Sequence, residues 1–355
     1  MGGKAVAIGY LERFAADYER QSGQVALPQM ATPNGIKVAV VGSGPAGLSF
    51  AGDMVKKGYD VFVFEALHEI GGVLKYGIPE FRLPNRIVDV EIENLRKMGV
   101  HFITDCIVGK TISVEELEEK GFKGIFVASG AGLPRFMNIP GENALNIMSS
   151  NEYLTRVNLM DAADPTTDTP INLGKKVIVV GGGNTAMDSC RTAKRLGAEV
   201  SIVYRRSEQE MPARLEEVKH AKEEGINFMT LHNPKEYLVD ENGAVKAAVL
   251  EVMELGEPDE SGRRSPVPTG ETVTMECDQV IVAIGVSPNP LVPNSIPGLE
   301  LGRKNTIAVN DEMQSSRSDL FAGGDIVRGG ATVILAMGDG RKAAANMDKK
   351  LQADV

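Results

Sequence analysis

Along this chain, short apolar runs of strand length break into glycines and give way to apolar residues at helical spacing, and that succession occurs twice. The run at 38–41 reads as a buried parallel strand; Gly42-x-Gly44-x-x-Gly47 follows, a helix is predicted over 45–57, and a strand at 60–64 ends in Glu65. Lys176-Val-Ile-Val-Val-Gly-Gly-Gly-Asn-Thr-Ala186 repeats the arrangement as a strand, Gly181-x-Gly183-x-x-Ala186, a helix to about 196 and a strand at 199–204. A later apolar strand running into small residues is repeated as well, at 124–130 and 277–285, ending at Gly130 and Gly285.

Elsewhere the pattern is looser. Residues 4–20 place Ile8, Leu11, Phe14, Ala15 and Tyr18 on one side of an amphipathic helix, whose stripe must be buried on this chain or on a partner. An extended arm with Pro28 and Pro33 leads to the first strand. The loop at 71–84 has too many apolar residues for solvent-facing coil and is expected to lie along a cofactor. A helix over 86–98, a strand at 100–104 and a Ser113/Glu116 capping box complete the first unit. After a polar loop at 161–170, the second unit continues with a helix at 212–224, a strand at 227–230, and strands at 236–240 and 245–254 around Glu241-Asn242-Gly243; 256–270 reads as a polar, proline-bearing hairpin tip. The tail, with a short strand ending in Asp325 and a helix over 332–351, has no fingerprint of its own and is placed back on the first unit. The expected fold is α/β, with two Rossmann-like dinucleotide-binding domains, the second inserted into the first: 1–36 helix and arm, 37–172 first domain, 173–287 second domain, 288–355 first domain resumed.

The glycines state the chemistry. Gly42 permits a tight turn, Gly44 lets a pyrophosphate approach the backbone, and Gly47 lets helix and strand pack closely, so the helix start at Pro45 and Ala46 offers its N–H groups to phosphate. Glu65 can accept from ribose hydroxyls. In the second copy, Gly182, Gly183, Asn184, Thr185 and Ala186 form the equivalent turn. Tyr204 stands where Glu65 stood, at the same offset from the first glycine, and Arg205 and Arg206 follow it. Losing the acid and gaining two guanidiniums suits a 2′-phosphate, so NADP is expected over NAD; a solvated basic edge is the plain alternative.

Composition narrows the field. A net charge of −10 argues against a nucleic-acid partner. No apolar run is long enough to cross a membrane and the N-terminus lacks a signal-peptide core, so a cytoplasmic protein is expected. Cys106, Cys190 and Cys277 are scattered, with no ligand cluster for iron–sulfur or zinc, and four dispersed histidines give hydrolytic or metal chemistry little support; no metal is expected.

Several stretches resemble the small (beta) subunits of NADPH-dependent glutamate synthase and related flavoprotein reductases, over nearly the whole chain. They are Ala7-Ile-Gly-Tyr-Leu-Glu-Arg-Phe14, Gly71-Gly-Val-Leu-Lys-Tyr-Gly-Ile-Pro79, Gly181-Gly-Gly-Asn-Thr-Ala-Met-Asp188, Val203-Tyr-Arg-Arg206 with Glu210-Met-Pro-Ala213, and Gly324-Asp325 with Ala331-Thr-Val333 and Asp339-Gly-Arg341. The resemblance implies FAD in the first domain and NADPH in the inserted one. It implies FAD contacts at Gly42, Gly44, Gly47, Glu65, Gly72, Leu74, Arg82, Gly324 and Asp325, and at the helix start formed by Ala331, Thr332 and Val333. That helix can turn its positive end to the flavin. Family members ordinarily carry a cysteine-rich iron–sulfur segment ahead of the first helix, and this sequence starts at that helix without such cysteines. The implied activity is hydride transfer from NADPH to FAD, with electrons passed to a partner such as a glutamate synthase large subunit. The alternatives are a stand-alone NADPH-dependent reductase of a ferredoxin, quinone or disulfide, and a non-catalytic nucleotide-binding subunit. Hydride transfer needs stacked, oriented rings more than a proton donor, so no general acid is assigned.

Overall fold

Two parallel five-stranded sheets carry the chain; a computed structural model describes residues 6–23, 25–260 and 262–353. The N-terminal amphipathic stretch forms α1 (Ile8–Ser22), closed by Gly23 in the left-handed conformation that suits a helix C-cap; positions 4–5 of the predicted helix lie outside the described residues. The first βαβ unit is β1 (Lys37–Val41), α2 (Pro45–Lys56) and β2 (Asp60–Phe64). It continues through α3 (Val73–Tyr76), α4 (Asn85–Lys97), β3 (His101–Ile103), α5 (Val114–Glu119) and β4 (Phe122–Val127). The expected capping box opens α5, with Ser113 and Glu116 each accepting from the other's backbone N–H.

After β5 (Leu133–Pro134) come β6 (Ile147–Ser149), α6 (Ser150–Asn158), β7 (Lys176–Val180), α7 (Asn184–Arg195), β8 (Glu199–Tyr204), α8 (Leu215–Glu223) and β9 (Asn227–Thr230). An antiparallel sheet follows, made of β10 (His232–Val239), β11 (Val245–Pro258) and β12 (Arg264–Glu276). The chain ends with β13 (Gln279–Val282), β14 (Val286–Ser287), α9 (Leu291–Asn294), β15 (Leu320–Ala322), α10 (Asp325–Arg328) and α11 (Val333–Ala353).

The first sheet runs β15-β4-β1-β2-β3 and the second β6-β13-β7-β8-β9. Position by position, β13 stands to β7 as β4 stands to β1, so the repeat in the sequence is a repeat in space. The tail strand β15 pairs with β4 of the first sheet. Where the chain crosses between the sheets, β5 and β14 pair as a short antiparallel ribbon, Val286 opposite Pro134 and Ser287 opposite Leu133. The first core joins the two halves of its domain: Phe50 of α2 stacks on Phe126 of β4 at 4.4 Å, and α11 lies so close to α2 that a Cβ at Gly340 would stand 2.3 Å from the Ala46 carbonyl oxygen.

Two features depart from the sequence reading. The second sheet takes its edge strand β6, with α6 behind it, from ahead of residue 173, the expected start of that domain. The 256–270 tip is mostly strand, since Met253 pairs with Pro268 and Leu255 with Pro266. Proline is tolerated there because β12 is an edge strand and needs no outward N–H.

Candidate functional site: two dinucleotide cradles

The apolar strand β1 ends where Gly42 turns with φ of 101°; a Cβ there would stand 2.5 Å from the Ala128 carbonyl oxygen, and one at Gly47 2.0 Å from the Gly42 carbonyl oxygen. Helix α2 starts at Pro45 with Gly44 as its N-cap and no capping side chain, so its first N–H groups are left for something else. A Cβ at Gly72 would stand 2.9 Å from Gly44 Cα, and one at Gly324 3.1 Å from the Ala46 side chain. The structure thus gathers Gly44, Ala46, Gly72 and Gly324, from three distant stretches, around one helix N-terminus. Leu74 sits in the short helix that Gly72 opens, and Gly130 lies just beyond β4.

Glu65 is buried at the end of β2. Its Oε2 accepts from the N–H and hydroxyl of Ser43 and its Oε1 from the Leu67 N–H, which fixes the carboxylate beside the glycine turn and leaves lone pairs for ribose hydroxyls. Asp325 opens α10, and its Oδ1 accepts from the Ala331 N–H at 2.9 Å. Burial raises its pKa, and nearby Asp339, which holds Arg328 and the Gly324 N–H, adds to the rise. Thr332 stands just ahead of α11 and Val333 begins it, followed by the exposed apolar side chains of Ile334 and Leu335. Tyr76 was not singled out by the sequence. Its phenol pKa is pushed up to about 12, first by burial and then by the negative charges of Asp325 and Glu65.

The second cradle follows the same plan. A Cβ at Gly181 would stand 2.3 Å from the Ala283 carbonyl oxygen, and α7 starts after Gly183 without a side-chain cap. Asn184 Oδ1 accepts from the Arg214 N–H, Thr185 is exposed, Ala186 is buried, and Gly285 follows β13. Tyr204 does not stand free at a ribose. Its ring packs against Gly182, where a Cβ would come within 2.7 Å of it, and its hydroxyl donates to the Glu210 carbonyl. The paired arginines separate: Arg205 is exposed, whereas Arg206 is buried and donates through Nε to the Arg264 carbonyl on the hairpin.

Both cradles suit a dinucleotide. A Cβ at Gly44 or Gly183 would meet nothing within 4 Å, so each uncapped helix start opens onto free space, as a pyrophosphate requires. Near the first cradle the buried Ser129 hydroxyl has no hydrogen-bond partner among the described residues.

Between the cradles, Arg82 spans the domains. Its Nη1 donates to both oxygens of Asp188 on α7, at 2.7 and 2.8 Å, and its Nε lies 3.3 Å from Glu217 on α8. Burial pushes Asp188 up to about 6 against the pull of Arg82. The resemblance assigned Arg82 to FAD and gave Asp188, the last residue of one of its stretches, no role of its own; the ion pair joins residues far apart in sequence.

A pyridine nucleotide-disulphide oxidoreductase family model matches residues 36–340. The chain belongs to that family. It is 38% identical to the NADP(+)-dependent formate dehydrogenase subunit beta of Moorella thermoacetica, covering 98% of this chain and 51% of that protein. It is also 38% identical to the glutamate synthase [NADPH] small chain of Azospirillum brasilense, covering 96% of this chain and 72% of that one. The chain therefore spans about half the length of the formate dehydrogenase subunit. In fold it is similar to Mycobacterium tuberculosis FprA in complex with NADPH, with a TM-score of 0.76 at 21% identity over 90% of this chain and 85% of that one. Family and cradles together indicate FAD and NADPH as the cofactors of this oxidoreductase. Among the described residues, no helix is long and apolar enough to cross a membrane.

Proposed function

We propose that this chain passes a hydride from NADPH to FAD and hands the electrons to a partner subunit, in the manner of a glutamate synthase small chain. The observation that carries the reading is the duplicated, uncapped cradle on two sheets of matching strand order. FAD would lie on Gly42, Gly44, Pro45, Ala46, Gly47, Gly72 and Leu74, with Glu65 on the ribose and Gly130, Gly324, Asp325 and the α11 start at Ala331, Thr332 and Val333 toward the flavin. NADPH would lie on Gly182, Gly183, Asn184, Thr185, Ala186 and Gly285, with the exposed Arg205 on its 2′-phosphate. Bound there, FAD would supply a two-electron acceptor for the hydride of NADPH, and the residues named would hold and orient the two rings for that transfer.

Disulfide reduction by this chain is disfavoured. The three cysteines are free and buried, and burial raises the pKa of each thiol, the opposite of what a redox nucleophile needs. The partner reading draws on the relatives, one named as a beta subunit and one as a small chain, and on the exposed apolar face of α1. The test is direct. Purified protein should carry FAD and bleach near 450 nm when NADPH is added without oxygen; a colourless protein, or one that NADPH leaves yellow, overturns the reading.

A further inference from the structure

Hydride transfer works only when donor and acceptor atoms meet at about 3–3.5 Å, and a misplacement of about 1 Å can cost about a hundredfold in rate. Here the two nucleotides would ride on separate sheets joined by the narrow β5–β14 ribbon, so something must fix one sheet against the other. Several contacts that can do so gather on one loop. Gly72, packed on the first cradle, opens α3; six residues beyond α3, Arg82 grips Asp188, one turn into the helix that begins at the second cradle. Phe81 lies beneath the guanidiniums of Arg191 and Arg195, 4.6 and 4.1 Å from its ring centre, and Asn158 donates to the Tyr76 carbonyl. Each cradle is thus tied by a short, hydrogen-bonded arm to the same ion pair.

A partly buried ion pair is a poor source of stability but a good source of geometric definition, because its hydrogen bonds hold in one arrangement only. We propose that Arg82 and Asp188 are positioning residues for hydride transfer, holding the NADPH-carrying domain in register with the FAD-carrying one. The proposal rests on the NADPH-to-FAD reading above.

The test uses the FAD-loaded chain in anaerobic stopped-flow single turnovers with NADPH. Arg82→Ala and Asp188→Ala should each slow flavin reduction about a hundredfold, while FAD content and the NADPH dissociation constant stay near wild type. If the two act only through each other, the double variant Arg82→Ala/Asp188→Ala should be no slower than either single variant. In wild type the rate should fall as pH is lowered through about 6, when Asp188 takes a proton and loosens Arg82; the other charges facing Asp188 are Arg191 on its own helix and Glu217 on α8. Asp188→Asn should be slow and flat in pH. Amide exchange provides a readout independent of turnover: in Asp188→Ala, exchange should rise across 76–83 and not across β1 and α2. Variants that reduce flavin at the wild-type rate overturn the proposal, as does a rate loss in Arg82→Ala explained wholly by lost FAD, which would make Arg82 a flavin contact. A wild-type flavin that NADPH does not bleach overturns the cofactor reading, and this proposal with it.

Discussion

Arg206 donates through Nε to the carbonyl of Arg264, 2.9 Å away on the long hairpin, and is only 7% exposed, while Arg205 beside it faces solvent. Two arginines that look equivalent in the sequence therefore stand in different surroundings. Arg205→Ala should raise the Michaelis constant for NADPH about ten- to a hundredfold, the worth of a lost charge-assisted hydrogen bond, and leave that for NADH nearly unchanged. Arg206→Ala should chiefly lower the melting temperature, by unpairing the hairpin carbonyl. Steady-state kinetics with both cofactors and a thermal scan separate the two; equal losses for NADPH and NADH in Arg205→Ala would refute the 2′-phosphate role.

Glu65 is held by three hydrogen bonds from its own chain, so its carboxylate is placed before any ribose arrives. Glu65→Gln keeps an acceptor and loses the charge, and should weaken FAD retention by about 1–3 kcal/mol, roughly five- to a hundred-and-fiftyfold. Glu65→Lys should weaken it further, by placing a cation where hydroxyl donors arrive. Flavin release on dilution measures both, and undiminished retention in Glu65→Lys would sink the assignment.

The first cradle was legible because it is local: strand, glycines and helix lie within about 20 consecutive residues, and each constraint leaves a residue type behind. The repeat made the second equally plain, and the late strands at 124–130 and 277–285 take matching places in the two sheets. What escaped was non-local. The edge strand β6 is a three-residue run with no periodicity to read, and the Arg82–Asp188 pair joins positions 106 apart. The hydrogen bond of Arg206 to Arg264 was not legible because it reaches a hairpin strand far downstream, and the proline-bearing strand β12 was hidden by residues that only an edge position tolerates.

Asp188 gives a pH signature in stability with a definite sign. Its pKa is raised from 3.8 to about 6, with burial the largest cause, so between those values the folded chain holds a proton that the unfolded chain has released. Over that window the group's contribution to stability falls as pH rises, by about 3 kcal/mol in all. Asp188→Asn removes the titration, so its stability relative to wild type should improve steadily from pH 4 to 6. Denaturant melts across that range check it; parallel curves would mean that Asp188 is ionised in the fold at pH 4. Ionised Asp188 would thus destabilise the fold at the pH where it grips Arg82 best.

The last expected outcome concerns α1, which buries none of its residues and leaves Ile8, Leu11, Phe14 and Tyr18 59–69% exposed, touching the first domain through Arg20, 3.9 Å from Glu91. A stripe of four large apolar side chains at helical spacing stands to gain on the order of 1.5–3 kcal/mol per side chain from being covered. The nearest alternative, packing on its own domain, is not the arrangement described. Deleting residues 1–22 should leave NADPH reduction of the flavin within about twofold, since α1 lies outside both cradles, and should abolish binding to a partner subunit or a second copy. Sedimentation velocity of the FAD-loaded chain, alone and with a glutamate synthase large subunit, reads the outcome. If the deletion variant keeps the oligomer size and partner affinity of the full chain, the face on α1 is not the docking surface and the electrons leave by another side.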